Sequence, residues 1–501
     1  MSLIPRFFRS ERPRRRHGGM DLLDRPILHW SQADAWTVRD SLAGLLVTGA
    51  TGQGKTTGSG RTVALAMLNQ GYGGLVLTVK PDEKAVWQGY CAETGRSEDL
   101  VIFGPEEPWR FSFLDYEFRH RGRGAGLTEN VVNLFSAVME TAERDASGSG
   151  REDEGYWRRA QRQLLRNAIE LLGMARGRIA VPEIYQLVIS APTSRNESQS
   201  EAWRGSSFCF SCLVEAESRT TSGMREADLA LVADYFLVEY PSLSEKTRSV
   251  VVSTLTALID VMNRGVLREL FCTTTTVTPE IVQEGRILLI DLPIKQFGEV
   301  GLIAQALWKQ SWQRSIERRD ISKSTRPVFY WADEAQYFVT STDALFHTTC
   351  RSARVASVLL TQSVSNFYAA LGSGEKGKSE ADALLTNLNT KIFHGNSDPV
   401  TNEWASTIIG KTRQYMANGN TSQTAEEQIS SLLGMAGFGG RGSASSGFSE
   451  SYEFEVQPRE FSTLRAGGPA CGWQVDGIVF SNGGRFAQTG RNWMKTSFPQ
   501  R

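Results

Sequence analysis

Apolar and polar residues alternate along this chain in a way that separates two α/β segments from a helical segment between them. Residues 45–48 and 75–79 are short apolar runs typical of buried strands, and residues 57–70 carry apolar side chains at helical spacing. Strands that are joined through a helix lie parallel in one sheet. The chain is therefore predicted to open with a parallel α/β unit.

A helical periodicity follows this unit. Residues 116–270 have apolar side chains at three- and four-residue spacing and few strand-like runs. Strand-like runs return at 286–291, 327–331, 356–360 and 390–393. The pattern predicts an α/β core with a predominantly parallel sheet and an inserted all-α domain.

The boundaries of the predicted segments follow from the same pattern. A stretch rich in Gly, Ser and Thr predicts a flexible linker or mobile loop, and the short apolar runs after it predict edge strands. The segments are a basic disordered tail (1–29), the first part of the core (30–115), the inserted all-α domain (116–270), the second part of the core (271–416), the linker or loop (417–451) and C-terminal strands that complete the core (452–501).

Composition limits the classes of function. The 501 residues are 40% hydrophobic, which is enough to fill the cores of one large or several ordinary domains. Lysine and arginine number 55, as do aspartate and glutamate, so there is no overall basic field of the histone-like kind. Any nucleic-acid surface must be local.

The cysteines indicate a reducing compartment. Six cysteines are scattered over the chain and do not form the pattern of a disulfide framework. Cys209 and Cys212 are the only C-x-x-C pair, and no second pair or nearby histidine completes a set of zinc ligands. An ordinary pair of thiols is favoured over a metal site.

The sequence predicts no transmembrane helix. No stretch reaches the roughly 18 uninterrupted apolar residues that a membrane-spanning helix needs, so we expect a cytoplasmic protein, with peripheral attachment at the inner membrane as an alternative. The N-terminal segment is basic and lacks the apolar run of a signal peptide. It is either a disordered tail or a segment that contacts anionic lipid, DNA or a partner.

The strongest chemical signal is residues 49–56, which fit G-x-x-x-x-G-K-[ST] between a predicted strand and a predicted helix. In such a P-loop the backbone N–H groups and the helix N-terminus face phosphates. Lys55 is expected to reach the β- and γ-phosphates, and Thr56 to place its hydroxyl on Mg²⁺. The predicted nucleotide-binding residues are Gly49, Ala50, Thr51, Gly52, Gln53, Gly54, Lys55, Thr56 and Thr57.

A second element is the apolar strand 328–332, which ends in Asp333 and Glu334 and has the form of a Walker B segment. Asp333 is expected to accept from the water shell of Mg²⁺, and Glu334 to orient the attacking water and take its proton. Two acids at a strand end also occur in a solvated turn or a helix N-cap. The P-loop upstream favours the catalytic interpretation.

A polar triplet, 361–363, follows the next predicted strand. Ligands of open parallel sheets bind at the carboxyl ends of the strands, so Gln362 is placed to sense the γ-phosphate or hold the water. A strand-end cap is the alternative. Arg351 and Arg354, expected on the helix before that strand, are candidates for an arginine that reaches a neighbouring subunit's γ-phosphate, with surface salt bridges as the alternative.

Candidate DNA contacts lie in the all-α segment. Arg158, Arg162 and Arg166 are spaced at i, i+4 and i+8, which places three guanidinium groups on one helix face. Such a stripe can follow phosphates or can be an ordinary solvated face. Residues 314, 318 and 319 form a similar, weaker arginine cluster.

In these residues and in several further stretches, the chain resembles the TraG/TraD-type coupling proteins of type IV secretion and conjugation, whose ATPase domain is similar to those of FtsK and HerA. The resemblance lies in a run similar to the family's D-P-K-G-E … V-F-D-P … N-P-L-D, a helix opening in the all-α segment, the T-Q-S after the Walker B strand and the segment after it. The corresponding stretches are TVKPDE (78–83), VIFGP (101–105), FLD (113–115), GYWRRA (155–160), TQS (361–363), IFHGN (392–396) and EWA (403–405).

The resemblance implies a RecA-like P-loop NTPase core and a homo-hexameric ring that hydrolyses ATP with Mg²⁺, binds DNA and links a relaxase-bound plasmid strand, the relaxosome, to type IV secretion channel proteins. The preference for ATP over GTP comes from the resemblance. This sequence departs from the family in lacking its N-terminal membrane helices and in having Thr78 and Val79 in place of Asp-Pro. The first departure leaves open a separate membrane partner subunit or a cytosolic motor.

Three functions are consistent with these residues. The leading hypothesis is an ATP-driven DNA translocase that couples plasmid or mobile-element DNA to conjugative secretion. An alternative with the same chemistry is a HerA/FtsK-like DNA pump that is not linked to secretion. A third is a receptor for secretion substrates that uses nucleotide as an assembly switch, which predicts turnover that does not respond to DNA.

Overall fold

Thirteen strands lie within the residues described by the computed structural model, which are 21–122, 124–143, 153–220, 223–372, 374–422 and 443–501. They are β1 (Pro26–His29), β2 (Ala35–Thr37), β3 (Leu45–Thr48), β4 (Gly73–Leu77), β5 (Leu100–Phe103), β6 (Ile287–Ile290), β7 (Val328–Ala332), β8 (Val355–Thr361), β9 (Thr390–Phe393), β10 (Lys411–Ser422), β11 (Ser443–Phe454), β12 (Gln474–Ser481) and β13 (Trp493–Pro499).

The α-helices of the same residues form the layers around the sheet and the segment between β5 and β6. They are α1 (Val38–Ser41), α2 (Arg61–Asn69), α3 (Glu83–Glu93), α4 (Phe113–Arg119), α5 (Thr128–Glu143), α6 (Asp153–Arg176), α7 (Val181–Ile189), α8 (Arg195–Ser198), α9 (Glu201–Ser206), α10 (Phe208–Arg219), α11 (Met224–Asp234), α12 (Tyr240–Ser242), α13 (Glu245–Met262), α14 (Gly265–Phe271), α15 (Ile294–Glu317), α16 (Asp343–Thr349), α17 (Val364–Leu371), α18 (Glu375–Thr386), α19 (Pro399–Ile409) and α20 (Pro458–Ser462).

The central sheet has the strand order β13-β12-β9-β3-β8-β7-β4-β6-β5. Strands β9 to β5 in that order pair parallel, whereas β12 is antiparallel to β9 and β13 is antiparallel to β12. Strands β3, β4, β6, β7, β8 and β9 are buried along their whole length, because helices cover both faces of a parallel sheet. The predicted α/β fold class and these buried strands are confirmed.

Helix α15 connects the helical segment to the sheet. Its buried Trp308 lies 4.9 Å from Phe103 of β5 and 4.3 Å from Phe111, measured between ring centroids. One apolar cluster contains buried residues of the sheet together with residues of α5, α6 and α13. The helical segment between β5 and β6 therefore shares a core with the sheet.

Two polar side chains of α15 fix the loops that follow the sheet strands. Gln305 donates to the carbonyl oxygens of Thr78, Ile290 and Leu292 at 3.1 Å each, and so joins the carboxyl ends of β4 and β6. Lys309, also buried, donates to the carbonyl of Phe338 at 2.7 Å and pairs with the buried Asp343. Burial alone would raise the pKa of Asp343, but Lys309 holds that pKa below its usual value. Helix α15 therefore braces the sheet edge where β4, β6 and β7 end.

The prediction of a linker or mobile loop over residues 417–451 is wrong at both ends of that segment. Strands β10 and β11 pair antiparallel from Lys411–Phe454 to Ser422–Ser443, so both ends of that segment belong to a long two-stranded ribbon. A ribbon is held by backbone hydrogen bonds and needs no apolar alternation, which is the signal that strand prediction uses. The middle of the predicted linker lies outside the described residues.

The predicted N-terminal tail (1–29) also differs from the structure at its end, because Pro26–His29 forms β1, which pairs antiparallel with β2. Residues 1–20 lie outside the described part of the chain. Among the described helices, none is by itself long and apolar enough to cross a membrane. Helices α13 and α14 pass that test only as a pair bent by 79°.

Candidate nucleotide-binding site

Four neighbouring parallel strands end at one edge of the sheet. In the order β3-β8-β7-β4, Thr48 is level with Thr361, and Ala332 is level with Leu77. The loops that follow these strands carry the predicted P-loop, Gln362 and the Asp333–Glu334 pair. The sheet therefore brings together side chains that are hundreds of residues apart in sequence, at the edge where open α/β sheets bind ligands.

Glycines give the P-loop its shape. Gly52 and Gly54 have φ of 76° and 73°, a left-handed conformation that glycine adopts without strain. A Cβ on Gly49 would lie 2.8 Å from Cβ of His394, and one on Gly54 would lie 2.8 Å from Cγ2 of Val475. The loop is also tied to β9, because the N–H of Ala50 donates to the carbonyl of Gly395 at 2.9 Å. Glycine at positions 49 and 54 therefore lets the loop pack directly against His394 and Val475.

The chain becomes helical at Lys55. A π-helical run, Lys55–Gly60, leads directly into α2, in place of a helix that begins at residue 57. Lys55 is only 6% exposed and places Nζ 3.4 Å from Oε1 of Glu334. Thr56 donates its hydroxyl to Oδ2 of Asp333 at 2.7 Å. A hydroxyl and a carboxylate oxygen side by side are ligands that Mg²⁺ prefers, and a buried lysine beside them suits phosphate, so these residues fit Mg²⁺ and a nucleotide.

Glu334 is the centre of the polar cluster. Its Oε1 accepts from Gln362 at 3.2 Å and is 3.5 Å from Nζ of Lys80, and its Oε2 accepts from Gln336 at 3.0 Å. Burial would raise the pKa of Glu334, but the lysines and the two amides outweigh it and hold the pKa below the usual carboxyl value. The residue is thus kept ionised, which is the state that a general base requires.

The backbone at Glu334 is strained. Its φ of 49° and ψ of 51° place a non-glycine residue in the left-handed region. The N–H of Glu334 donates to Oδ1 of Asp333 at 2.9 Å, which fixes the two acids relative to each other. Strained residues persist where neighbouring contacts over-determine them, and they cluster at functional sites.

Two charged residues at this edge were not predicted as site residues, although both lie in the stretch that carries the family resemblance. Lys80 follows β4 and has a raised pKa: burial would lower it, but Asp333 and Glu334 outweigh that effect. Glu83, at the start of α3, accepts from the N–H of Val79 at 3.0 Å, and its other oxygen is buried without a hydrogen-bond partner. Burial, followed by the charge of Asp333, raises the pKa of Glu83 to about 8. Their position beside the Asp333–Glu334 pair depends on β4 pairing with β7, which residue spacing does not reveal.

His394 contacts the helical run that follows the P-loop. It is fully buried, its Nδ1 lies 2.8 Å from the carbonyl oxygen of Asp476, and its Nε2 lies 2.7 Å from Oγ of Ser59. A carbonyl only accepts, so Nδ1 carries the proton and Nε2 accepts from Ser59. Burial lowers the pKa of His394 to about 4, so the ring is neutral.

The sequence suggested that Arg351 and Arg354 lie on a helix, but in the structure they do not. Helix α16 ends at Thr349, and both arginines belong to the turn that leads into β8, where Arg354 has φ of 58° and donates to the carbonyl of Thr325 at 2.6 Å. The turn starts β8, whereas Gln362 follows its end, so within one chain these arginines lie at the opposite edge of the sheet from Lys55. They reach a phosphate only if another subunit supplies it.

The arginine stripe of α6 faces a neighbouring helix. Arg162 and Arg166 are both ion-paired with Glu129 of α5, and Arg162 also contacts Asn133. Their side chains stay 38% and 39% exposed, so part of each guanidinium still reaches solvent. The stripe is therefore at least partly an interhelical contact.

Other polar signals of the sequence have structural roles. Arg314 and Arg318 pair with the buried Glu117. Cys209 and Cys212 are buried on α10, and burial raises the pKa of Cys212 to about 11. Within the described residues no group of three or more His, Cys, Asp and Glu side chains could hold a metal ion.

Replacing Glu83 by Gln tests whether burial raises the pKa of this carboxyl group. Because the pKa of Glu83 in the folded chain, about 8, lies above its ordinary value of 4.5, its contribution to stability is complete below pH 4.5 and is lost as the pH rises through 8. We expect the urea midpoint of the unaltered chain to fall more steeply than that of Glu83→Gln between about pH 5 and pH 8. The exposed Glu93→Gln on the same helix is the control and keeps the original slope. Equal slopes for Glu83→Gln and the unaltered chain would contradict this assignment.

Comparison with known proteins shows a family similarity in the part of the chain that carries Asp333, Glu334 and Gln362. Residues 327–456, which include Asp333, Glu334 and Gln362, match the family model described as the TraM recognition site of TraD and TraG. No curated protein matches the chain in sequence.

Solved structures extend the comparison to nearly the whole chain. The bacterial conjugative coupling protein TrwBdeltaN70, in an unbound monoclinic form, has a TM-score of 0.59 and 16% sequence identity, over 96% of this chain and 90% of that chain. The plasmid coupling protein TrwB with the GTP analogue GDPNP has a TM-score of 0.59 and 15% identity over the same shares of 96% and 90%. TrwB with ADP and Mg²⁺ has a TM-score of 0.57 and 16% identity, over 94% of this chain and 89% of that chain. The family match and the fold together confirm the predicted resemblance to TraG/TraD-type coupling proteins, with a RecA-like α/β core and a helical domain.

Proposed function

We propose that this chain is an ATP-hydrolysing, DNA-translocating motor of the coupling-protein kind. The observation that carries the proposal is the cluster in which Lys55, Gln362 and Lys80 surround the buried, ionised Glu334 beside the P-loop. Such a cluster has the parts that phosphoryl transfer to water requires, namely a cation for the phosphates, a carboxylate base and an amide that can hold water. The nucleotide-bound TrwB structures are consistent with a nucleotide site in this fold.

In this proposal each residue has a defined task. Residues 49–57 bind the phosphates through their backbone N–H groups, and Lys55 neutralises the β- and γ-phosphates. Thr56 and Asp333 would hold Mg²⁺, which would offset the negative charge of the phosphates when bound. Glu334 orients the attacking water and accepts its proton. Gln362, which directly follows β8, senses the γ-phosphate.

The assembly and the partners of the chain follow the family. We propose a homo-hexamer in which Arg351 or Arg354 of one subunit reaches the γ-phosphate bound by its neighbour, because neither reaches the site of its own chain. The DNA of a plasmid or mobile element, the relaxosome and type IV secretion channel proteins are the proposed partners. The matched family model, a TraM recognition site, supports contact with an accessory protein of this kind. We also propose peripheral attachment at the inner membrane through a membrane partner subunit.

Turnover of ATP by the purified chain, with and without single- or double-stranded DNA, tests the proposal. We expect DNA to raise the rate several-fold, and Glu334→Gln to lower it by about 10²-fold or more, because removal of a general base costs that much. Glu93→Gln, an exposed acid on α3 outside the site, should retain the rate.

The other outcomes favour the alternatives. Turnover that is lost in Glu334→Gln but indifferent to DNA would contradict the motor and favour a nucleotide-switched receptor. DNA-stimulated turnover in a chain that binds no relaxosome component would favour a DNA pump that is not linked to secretion.

The arginine stripe of α6 is the proposed DNA-binding surface. We expect the triple change Arg158→Gln, Arg162→Gln and Arg166→Gln to weaken DNA binding and to reduce the slope of log K against log salt, by about 0.9 for each phosphate that is no longer neutralised. Glu129→Gln, which removes the acid that pairs with Arg162 and Arg166, should instead strengthen binding. An unchanged salt slope in the triple variant, with its fold intact by circular dichroism, would show that the stripe only joins α5 to α6.

A further inference from the structure

The loop before β12 and the residues after β13 meet beside the P-loop. Gln500 donates from Nε2 to Oγ1 of Thr57 at 2.8 Å, and its Oε1 accepts from the N–H of Gly468 at 2.6 Å. A Cβ on Gly467 would lie 2.4 Å from the same Oε1, so this loop closely surrounds the amide of Gln500. The contact places residues 467–473 at the first helical turn after Lys55 and Thr56.

Trp473 occupies this corner in a strained conformation. Its φ is 58°, a left-handed value that is rare for a bulky aromatic residue. Its N–H donates to the carbonyl of Gly468 at 2.9 Å, and its carbonyl accepts from the N–H of Gln500 at 2.9 Å. The backbone is therefore fixed on both sides. Strain that neighbouring contacts maintain is typical of ligand sites.

The indole of Trp473 already holds a planar group. The guanidinium carbon of Arg501 lies 3.4 Å from the centroid of the indole ring, which is a close stacking distance for a cation on an aromatic face. Arg501 is exposed and Trp473 is only partly buried, so both surfaces are accessible from solvent. A nucleobase is a planar π-system that stacks on aromatic rings and on guanidinium groups in the same way.

The direction of a bound nucleotide leads to this corner. If Lys55 and Thr56 take the β- and γ-phosphates, the α-phosphate, the ribose and the base extend away from Glu334 and past Thr57. Gln500 contacts Thr57 through its side chain and Trp473 through its backbone N–H, so Trp473 lies next to the residue that contacts Thr57.

We propose that Trp473 and Arg501 form the base subsite of the nucleotide site, where a purine ring displaces the guanidinium of Arg501 from the indole face and stacks on the indole in its place, with the ribose beside Gln500. The inference rests on the proposed function, because it assumes that the P-loop binds a nucleoside triphosphate. Stacking uses the faces of the base, so it favours purines over pyrimidines without separating adenine from guanine.

Binding measurements on the full chain separate the base from the phosphates. We expect Trp473→Ala to weaken binding of Mg²⁺-ATP about tenfold by calorimetry, within the range measured for base–aromatic stacking. Inorganic tripolyphosphate, which has no base, should bind to Trp473→Ala as it binds to the unaltered chain. Trp473→Phe keeps an aromatic face and should restore ATP binding, and CTP should bind more weakly than ATP to the unaltered chain only.

Two results would overturn the inference in distinguishable ways. If Trp473→Ala binds ATP like the unaltered chain, or loses ATP and tripolyphosphate equally, Trp473 is not a base-stacking residue while the P-loop site stands. If the unaltered chain binds neither ligand, the proposed nucleotide function fails, and the base subsite fails with it.

Discussion

Parallel pairing of β3, β8, β7 and β4 is the constraint on which the rest of the site depends. Because these strands run in one direction and are aligned, the loops after them leave the sheet at the same edge. This geometry brings Lys55 within 3.4 Å, and Gln362 within 3.2 Å, of Glu334. A slip in the pairing would separate these groups and leave buried charges without partners, which costs several kcal/mol for each charge.

Two sets of contacts outside the cluster hold this edge in place. Helix α15 joins the ends of β4 and β6 through Gln305 and braces the segment after β7 through Lys309. On the other side of the P-loop, the neutral His394 links Ser59 to the carbonyl of Asp476 on β12. The helical domain and the antiparallel edge strands are thereby connected to the loops that would contact nucleotide.

Much of the site could be predicted from the sequence because its signals are local. The P-loop motif predicts Lys55 and Thr56 as site residues, and two acids after a buried strand predict Asp333 and Glu334. The structure brings these four side chains together. The contacts of Lys80 and Glu83 could not be predicted, because they depend on which strand lies beside which. For the same reason the ion pairs of the α6 arginines could not be predicted. Their spacing defines one helix face, but it does not reveal that Glu129 of α5 lies opposite.

The prediction of a linker from composition was wrong at the β10–β11 ribbon, because backbone hydrogen bonds hold that ribbon together. The ribbon of β10 and β11 is built largely of small and polar residues, so its sequence resembles a linker although its ladder spans 12 residue pairs. Trp473 is a different case, because its left-handed backbone depends on Gly468 and Gln500, which come together only in the folded chain.

The central claim is that Lys55 and the strand ends around it bind the phosphates of a nucleotide. Calorimetric titration of Mg²⁺-ATP into the unaltered chain, Lys55→Ala and Lys411→Ala, an exposed lysine of the ribbon, tests this claim most directly. We predict binding to the unaltered chain and to Lys411→Ala, and loss of binding in Lys55→Ala. Unchanged ATP affinity in a folded Lys55→Ala chain would contradict the claim.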